Sequence, residues 1–437
     1  MHLIAPGRNE HGYLVSKPQA WFAFTLSFLL MTLDFIDRQI VVSMFPHLKA
    51  EWGLSDRELG ALISIVSVTV AVGTLPLSLL VDHWSHVKGV VIMATVWSVA
   101  TIACAFAGSY QRLLLARGFI GLGEAGYGPA AGAILTSIFP TRMRATIIGG
   151  FLAAASFGSV LGVVLGGVIA SRWGWQAAFG IVGIPGLVLA GLYMLVRDYR
   201  APEYKSSAPA GLFKARDIAR ELFRARSGIA AYFAGALQLV TVSTILAWLP
   251  SFFNRVYGLP TDRSGIAAAG VIICTTLGAV FWAGVADHLA RRDVRLRMLT
   301  TATCCFATFV VFAVGFGAMG PSSSQIAAIV AGAFVMGATT GPVPAVAIDV
   351  VHPALRATAG SIVAIVQNLF GLGIGPLLSG VLSDAFGLQA AMAIMPMSCG
   401  LAALLLTIGS RSYPADRAAI VNLQVRADIA GAVPATA

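Results

Sequence analysis

Charged residues are scarce in this sequence. Asp, Glu, Lys and Arg make up 11% of its 437 residues, whereas soluble domains carry about 25%. Hydrophobic residues account for 57% of the chain, and the mean hydropathy is +0.83. So few charges cannot cover a folded surface that faces water, and this composition excludes an ordinary soluble enzyme.

Cysteine and histidine, the usual ligands of metal centres, are also rare. All five cysteines lie in apolar segments and none has the CxxC spacing, so they indicate neither a disulfide framework nor a zinc site. The seven histidines lie in the N-terminal tail, in loops or at segment ends. We therefore expect no metal and no other cofactor.

The net charge of +10 does not indicate nucleic-acid binding, because the basic residues lie in short connections between apolar segments. Cytoplasmic loops of membrane proteins have this composition. A membrane span needs about 20 apolar residues and must be helical unless a closed barrel forms. The sequence predicts twelve such helices, at 20–44, 58–81, 88–108, 112–137, 146–170, 175–197, 228–253, 264–286, 297–319, 324–348, 357–383 and 388–410.

The distribution of Lys and Arg predicts the orientation. With the N-terminus inside, 21 basic residues lie on the cytoplasmic side and 6 on the outside. This asymmetry places both termini in the cytoplasm. The first apolar run is too long for a signal-peptide core, so we interpret it as a retained span.

One long connection divides the chain. We predict an N-terminal six-helix half at 1–197, a cytoplasmic linker at 198–227, a C-terminal half at 228–410 and a tail at 411–437. The linker contains a basic amphipathic pattern from Lys214 to Arg226, which is typical of a helix lying on the inner membrane surface.

The two halves repeat each other. Trp52-Gly-Leu-Ser-Asp-Arg57 returns as Tyr257-Gly-Leu-Pro-Thr-Asp-Arg263, and Gln176-Ala-Ala178 returns as Gln389-Ala-Ala391. The offset stays near 205–213 residues throughout. Duplicated six-helix halves around a midplane site are typical of major facilitator transporters. The predicted fold class is therefore an all-α membrane protein with twelve transmembrane helices in two six-helix repeats.

Glycines recur at helical spacing in the predicted spans. Gly121-Leu-Gly-Glu-Ala-Gly126 matches GxGxxG, but no strand precedes it and it lies in an apolar span, so a dinucleotide site is not indicated. Gly158, Gly162 and Gly166 form a stripe on the fifth span. Both patterns predict close helix packing.

Two spans carry charges at bilayer depth. The first contains Asp34, Asp37 and Arg38, and the fourth contains Arg117 and Glu124, each set near one helix face. Because a charge at this depth costs at least about 2.5–3.5 kcal/mol, such groups normally face a partner or a cavity. From the helix rise we expect Asp37 and Arg38 to lie level with Arg117, and Asp34 with Glu124.

These charges are the candidate working centre of a transporter. A buried carboxylate can exchange a proton near neutral pH, and Glu124 is our first candidate for the proton carrier, followed by Asp34 and Asp37. Arg117 and Arg38 are candidate anion ligands, together with Tyr127. The alternative is a set of salt bridges that merely hold the helices together, a task that apolar contacts perform without the desolvation cost.

The second half has no comparable intramembrane charges. Its candidate substrate-binding residues are polar or aromatic, namely Gln238, Trp248, Gln367 and Asn368. Pro342 and Pro344 predict a break in the tenth span. Candidate gating residues are Asp82 and Lys88 in the connection between spans 2 and 3, and Asp287 at the equivalent end of span 8.

Several of these motifs resemble the major facilitator superfamily. The Asp82–Lys88 connection resembles its signature, although Ser78, His83, Ser85 and His86 replace expected residues. Asp37-Arg38 and the stretch from Arg117 to Tyr127 resemble the spinster branch. Trp173-Gly-Trp-Gln-Ala-Ala-Phe179 is similar to a segment shared by spinster proteins and the anion:cation symporter family.

The resemblance implies the roles of Asp37, Arg38, Arg117 and Glu124 position by position. Spinster relatives move lysophospholipids or sphingolipids, and the symporters take up organic carboxylates with protons. We therefore expect proton-coupled uptake of a small organic anion by alternating access, with export of a lysolipid, sphingolipid-like amphiphile or drug as the alternative. We expect a monomer in a bacterial inner membrane, with the substrate, protons and membrane lipid as its partners.

Overall fold

The computed structural model describes residues 13–197, 220–339, 341–352 and 355–420. Within these ranges the regular structure is helical, and the helices are joined by short turns. The all-α prediction is confirmed.

The helices follow the predicted spans closely. They are α1 (Lys17–Trp52), α2 (Asp56–Trp84), α3 (His86–Ala105), α4 (Tyr110–Glu124), α5 (Tyr127–Ile138), α6 (Arg144–Trp173), α7 (Trp175–Tyr193), α8 (Arg226–Tyr257), α9 (Thr261–Ala290), α10 (Arg295–Gly317), α11 (Ser323–Met336), α12 (Pro342–Asp349), α13 (Arg356–Val366), α14 (Gly375–Phe386), α15 (Leu388–Ile394) and α16 (Met397–Ser410). A short 3₁₀ turn, Thr141–Met143, precedes α6.

Eleven helical segments of the described chain are long and apolar enough to cross a membrane. The fourth predicted span, 112–137, is not among these eleven and is present as two shorter helices, α4 and α5, which are separated by a turn at Ala125 and Gly126. The tenth span is also interrupted, since a 3₁₀ turn at Gly337–Thr339 separates α11 from α12. This break lies where the two prolines predicted it.

Side-chain caps explain where several helices begin. Ser55 and Glu58 form a reciprocal capping box at the start of α2. Ser85 and Ser109 accept hydrogen bonds from the first-turn amides of α3 and α4. Gly53 ends α1 with φ of +64°, a left-handed conformation that glycine adopts without strain.

The glycine stripe of α6 packs against the backbone of α1. A Cβ on Gly158 would lie 2.4 Å from the carbonyl oxygen of Thr32, and a Cβ on Gly162 would lie 2.7 Å from that of Ile36. Gly166 repeats the contact one turn further along, at 3.0 Å from the Ile40 oxygen. Only glycine allows the two helices this close approach, so the predicted packing role is confirmed.

The chain forms two compact units. The first combines the described residues up to 197 with Ser243–Ile273 and Leu372–Met392. In this unit Gly60 of α2 packs on the carbonyl of Pro376, and Gly265 of α9 packs on that of Val163. Segments of the C-terminal half thus belong to the same compact unit as α1–α7, and the two predicted domain boundaries stay a prediction.

The second unit contains the remaining described residues and has an apolar core of its own. Tyr232 of α8, Met298 of α10, Val346 of α12, Cys399 and Leu406 of α16 are all buried in it. The first six residues of the predicted basic linker helix, 214–219, lie outside the described residues, as does the tail beyond residue 420.

The glycine contact generates a test of the α1–α6 interface. Gly158→Ala places its Cβ against the Thr32 carbonyl, and we expect a loss of about 1–3 kcal/mol from this overpacking. Gly149→Ala is the matched control on the same helix, because nothing lies within 4 Å of its Cβ position. Thermal unfolding in detergent should show a lower Tm for Gly158→Ala and an unchanged or higher Tm for the control. Equal Tm values for both variants would contradict the interface.

Candidate functional site

Helices α1 and α4 bring five charged side chains together inside the first unit. Asp34, Asp37 and Arg38 come from α1, and Arg117 and Glu124 come from α4. Three carboxylates therefore share two guanidinium groups.

Arg38 connects two of the acids. Its Nε lies 3.0 Å from Asp34 Oδ1, one helical turn away, and its Nη2 lies 2.6 Å from Glu124 Oε2. The Glu124 side chain is fully buried, whereas the Arg38 side chain stays 20% exposed. The Phe35 ring lies 5.5 Å below the guanidinium. Arg38 is thus held by charge and by an aromatic face while part of it remains accessible.

Arg117 is held by the backbone as well as by an acid. Its Nη1 lies 3.6 Å from Asp37 Oδ2 and donates to the Asp37 carbonyl at 3.2 Å, and its Nε donates to the Leu62 carbonyl at 3.2 Å. The side chains of Arg117 and Asp37 are 1% and 2% exposed. Neither carboxylate oxygen of Asp37 accepts a well-formed hydrogen bond from the described residues. Acids and bases thus pair at two places, but Arg38, which we expected level with Arg117, reaches Asp34 and Glu124.

The position of Glu124 follows from the break between α4 and α5. Glu124 is the last residue of α4. A Cβ on Gly121 would meet the Val66 carbonyl at 2.4 Å, and one on Gly123 would meet the Trp97 amide nitrogen at 2.7 Å. The glycines of the GxGxxG pattern therefore allow α4 to lie close against α2 and α3, which buries the carboxylate that follows them.

A cavity of about 130 Å³ borders the charged cluster. Its polar lining consists of Arg38, Arg117, Gln39, Ser67, Ser159 and Ser243. The rest of the lining is apolar, namely Phe35, Val42, Ile63, Val66, Leu246, Ala247 and Leu372. Because Arg117 is almost fully buried, Arg38 is the guanidinium that a molecule in the cavity can reach. One accessible guanidinium beside hydroxyls and an amide suits a small anion with oxygen acceptors.

The structure does not place Tyr127 at this cavity. Its side chain is fully buried, its hydroxyl donates to the Ser27 carbonyl at 2.6 Å, and its ring meets Trp97 edge-on at 5.1 Å. The hydroxyl is therefore satisfied by backbone, and Tyr127 helps hold α5 against α1 instead of contacting a ligand.

Trp248 and Gln238 are also engaged by backbone carbonyls. In the first unit, Trp248 is fully buried, donates from Nε1 to the Pro376 carbonyl at 3.2 Å and packs on Phe45 at 5.2 Å. In the second unit, Gln238 is buried and donates to the Met336 carbonyl at 3.2 Å. Both side chains are thus tied into helix contacts.

Gln367 and Asn368 begin a π-helical segment, Gln367–Leu372, between α13 and α14. Such segments frequently accompany functional sites. Asn368 donates to the Ala364 carbonyl one turn earlier, and Gln367 Nε2 lies 2.9 Å from where a Cβ of Gly235 would stand. Gly235 therefore makes room for the Gln367 side chain, and the ligand role of both residues stays a prediction.

Among the candidate gating residues, Asp287 forms part of a charged network in the second unit. Arg297 Nη2 lies 3.0 Å from Asp287 and its Nη1 lies 2.9 Å from Asp349. The Tyr413 hydroxyl, just beyond the last span, donates to the same Asp349 oxygen at 3.0 Å. Burial and the neighbouring Asp349 raise the pKa of Tyr413 to about 12, so it stays a donor at neutral pH.

Lys88 stands with its Nζ 5.6 Å from the centre of the Trp84 ring, a cation–π distance. The side chain of Asp82 lies outside the described residues. The gating roles of both stay predictions.

A second charged network, which the sequence did not single out, centres on Asp56 at the start of α2. Its carboxylate accepts bonds from Lys49 Nζ at 2.6 Å and from both terminal nitrogens of Arg255 at 2.6 and 2.8 Å. Ser383 adds a hydroxyl at 2.5 Å. The Asp384 carboxylate in turn accepts the backbone amides of residues 56 and 57, both at 2.8 Å. The network ties α1, α2, α8 and α14 together within the first unit.

The Asp56 network is connected to the cavity through Trp248 on α8. Ala247 lines the cavity, the next residue Trp248 packs on Phe45, and Arg255 lies over the Trp248 ring at 5.9 Å. An aromatic layer and then a charged layer therefore follow the cavity along α8. The duplicated Asp–Arg motif identified Asp56 as part of the repeat, but no local sequence pattern predicted its pairing with Arg255.

Comparison with known proteins identifies relatives along nearly the whole chain. Residues 27–372 match the family model of the Major Facilitator Superfamily. An MFS-type efflux pump of Mycolicibacterium smegmatis is 27% identical over 86% of this chain and 87% of its own length. A hexuronate transporter of Bacillus subtilis is 23% identical over 82% of this chain and 87% of its own.

A solved structure has the same fold. A bacterial homologue of the human lysosomal transporter Spinster, in an inward-facing and unoccupied conformation, superposes with a TM-score of 0.80. The match covers 92% of this chain and 99% of the other at 22% identity. The resemblance and the fold class predicted from the motifs are confirmed.

The Asp56 network predicts how the cavity is kept closed. Asp56→Asn keeps the shape of the side chain and removes its charge, so contacts with Lys49 and Arg255 should weaken by about 1–3 kcal/mol. In a background without native cysteines, Ser159→Cys reports access to the cavity. We expect a water-soluble maleimide, added on the side of the Asp56 network, to label this cysteine at least about tenfold faster in Asp56→Asn than in the protein with Asp56 intact.

Asp262→Asn is the matched control, because Asp262 is the counterpart of Asp56 in the duplicated motif. It should leave the labelling rate unchanged. Equal rates in both variants would show that the Asp56 charge does not keep the cavity closed.

Proposed function

This chain belongs to the Major Facilitator Superfamily, and we propose that it takes up a small organic carboxylate together with protons. Family membership makes it a multi-pass integral membrane transporter of small molecules and not an enzyme. The substrate class, the protons and the direction are our proposal, supported by the site as follows.

The imbalance of charge in the buried cluster is the observation that carries the proposal. Three carboxylates share two guanidiniums, so the fully ionised cluster has a net charge of −1. Burial in a low dielectric strongly disfavours an uncompensated charge. One bound proton makes the cluster neutral, and a monoanionic substrate adding its charge at Arg38 favours the uptake of a second. Substrate and proton binding therefore support each other.

Within this cluster we assign different tasks to the two arginines. Arg38 is partly exposed at the cavity and also contacts Glu124, so a substrate carboxylate competes with Glu124 for it. A released Glu124, buried and without a guanidinium, favours its protonated form. Arg117 is held by two backbone carbonyls and Asp37, and we assign it the task of holding α1, α2 and α4 in register. Asp34 and Asp37 remain candidate secondary proton sites.

The cavity supports a small polar substrate. A volume of about 130 Å³ beside serine hydroxyls and an amide suits a compact hydroxylated acid. The hexuronate transporter of Bacillus subtilis carries such a substrate by its name.

Alternating access completes the proposed mechanism. We propose that the Asp56 network lies on the outer side of the membrane and both termini in the cytoplasm of a bacterial cell, which the excess of basic residues in the predicted inner connections supports. We propose that opening of this network admits substrate and proton, and that the neutral loaded cluster permits the change to the opposite state. Twelve spans form a complete pathway within one chain, so we propose a functional monomer.

Export of an amphiphile is the second candidate, because the Mycolicibacterium smegmatis relative is named an efflux pump. Proteoliposomes separate the two. Export is favoured if affinity grows with the length of the substrate's tail and the substrate moves from the proton-poor to the proton-rich compartment. Uptake is favoured if a short carboxylate moves with the protons and accumulates in the proton-poor compartment.

Glu124→Gln tests the proton role. In proteoliposomes with a gradient of one pH unit, a single coupled proton supports about tenfold accumulation of substrate. We expect the variant to lose this accumulation while it still exchanges labelled for unlabelled substrate, because glutamine keeps the shape of the side chain but cannot titrate. Glu221→Gln, which neutralises a residue outside the spans, is the control. Undiminished accumulation in Glu124→Gln would remove Glu124 from the coupling mechanism.

Arg38→Gln tests the substrate contact. Loss of a charge-assisted bond should weaken carboxylate binding about tenfold to a hundredfold, measured as a smaller ligand-induced rise in Tm across a panel of sugar acids and dicarboxylates. Arg112→Gln removes an exposed arginine from the same helix as Arg117 and should bind like the parent. Equal affinity in Arg38→Gln would show that the anion binds elsewhere.

A further inference from the structure

A groove on the second unit combines an apolar floor with two arginines at its mouth. It lies between the start of α8 and the end of α16 and has a volume of about 410 Å³. Arg226 and Arg411 stand at one end of it, and Phe233, Leu405 and Ile408 line the rest. None of these residues belongs to the transport site described above.

Small residues at the helix crossing create the groove. A Cβ on Gly409 would lie 2.6 Å from the Cβ of Ala230, so the two helices touch at this point. The larger side chains on either side, Phe233 and Ile408, remain 55% and 54% exposed. They form the walls of a concave strip that opens away from the core of the unit.

The polar and apolar ends of the groove are arranged along the membrane normal. Arg226 is the first residue of one membrane-crossing helix, and Arg411 directly follows the end of another. Both guanidiniums therefore lie at the same boundary of the apolar layer. Phe233 is seven residues into α8, about 10 Å deeper, and Leu405 lies at a similar depth on α16.

Within the part of the chain that the structure describes, neither Arg226 nor Arg411 forms an ion pair. Nearby Arg224 pairs with Glu221. Asp416, an acid beside the groove, accepts the backbone amide and the hydroxyl of Ser227 and so caps the start of α8.

We propose that this groove binds one anionic glycerophospholipid of the surrounding membrane. Arg226 and Arg411 hold its phosphate headgroup, and one acyl chain lies along Phe233, Leu405 and Ile408. Arginines at the interface attract anionic lipids, and basic pockets between membrane helices bind lipid headgroups. A zwitterionic lipid carries its own cation, which the two arginines repel, so the groove discriminates by headgroup charge.

Native mass spectrometry of the full chain in detergent tests the proposal. With dioleoylphosphatidylglycerol and dioleoylphosphatidylcholine added in equal amounts, we expect one phosphatidylglycerol to be retained in preference. The double variant Arg226→Gln/Arg411→Gln should lower this affinity about thirtyfold, because each interfacial arginine contributes a factor of about five. The control Arg142→Gln/Arg356→Gln removes two exposed basic residues on the same predicted membrane side, one in the turn before α6 and one at the start of α13, and should bind like the parent.

Three results would overturn the proposal. The first is equal retention of both lipids by the parent protein, which needs no variant to fold. The second is an unchanged preference in Arg226→Gln/Arg411→Gln. The third is full displacement of the lipid by soluble glycerol phosphate, which would show an anion site without an acyl chain. Weaker retention in Phe233→Ala/Ile408→Ala, with unchanged unfolding in phosphatidylcholine bilayers, would support the tail contact.

Discussion

The burial of five charges between α1 and α4 is the constraint on which the rest of the first unit depends. Charges at this depth persist only with partners at close range. Arg117 finds them in two backbone carbonyls and Asp37, and Arg38 finds them in Asp34 and Glu124. Glycine contacts pack α4 on α2 and α3, and α6 on α1, around this cluster. Close helix packing and charge pairing therefore support each other in this unit.

The unequal number of acids and bases gives this arrangement its chemical character. An equal set would be a stable cross-link with no reason to exchange protons. The extra carboxylate leaves one negative charge, which a proton neutralises in the mechanism we propose. In that proposal Arg38 is shared between Glu124 and the cavity, so that a bound anion alters the pairing of an acid it does not touch.

The C-terminal half contributes more than a wall to the cavity. Its intramembrane segments have few charges, and the ligand roles of its polar and aromatic residues stay predictions. Trp248 packs on Phe45 and donates to a backbone carbonyl, and Arg255 and Asp384 supply charges at the start of α2. The charged cluster of α1 and α4 and the Asp56 network thus belong to one unit.

The sequence by itself determined the class, the twelve spans, the duplication and the residues of the charged cluster, because these follow from composition, periodicity and the cost of charge in an apolar medium. The break before Tyr127 and the roles of Tyr127 and Trp248 were decided by tertiary structure, since a hydroxyl or indole shows no preference for ligand over carbonyl until its neighbours are known. The ion pair between Asp56 and Arg255 could not be predicted from the sequence for the same reason. Its partners lie 199 residues apart, and only the folded chain brings them together.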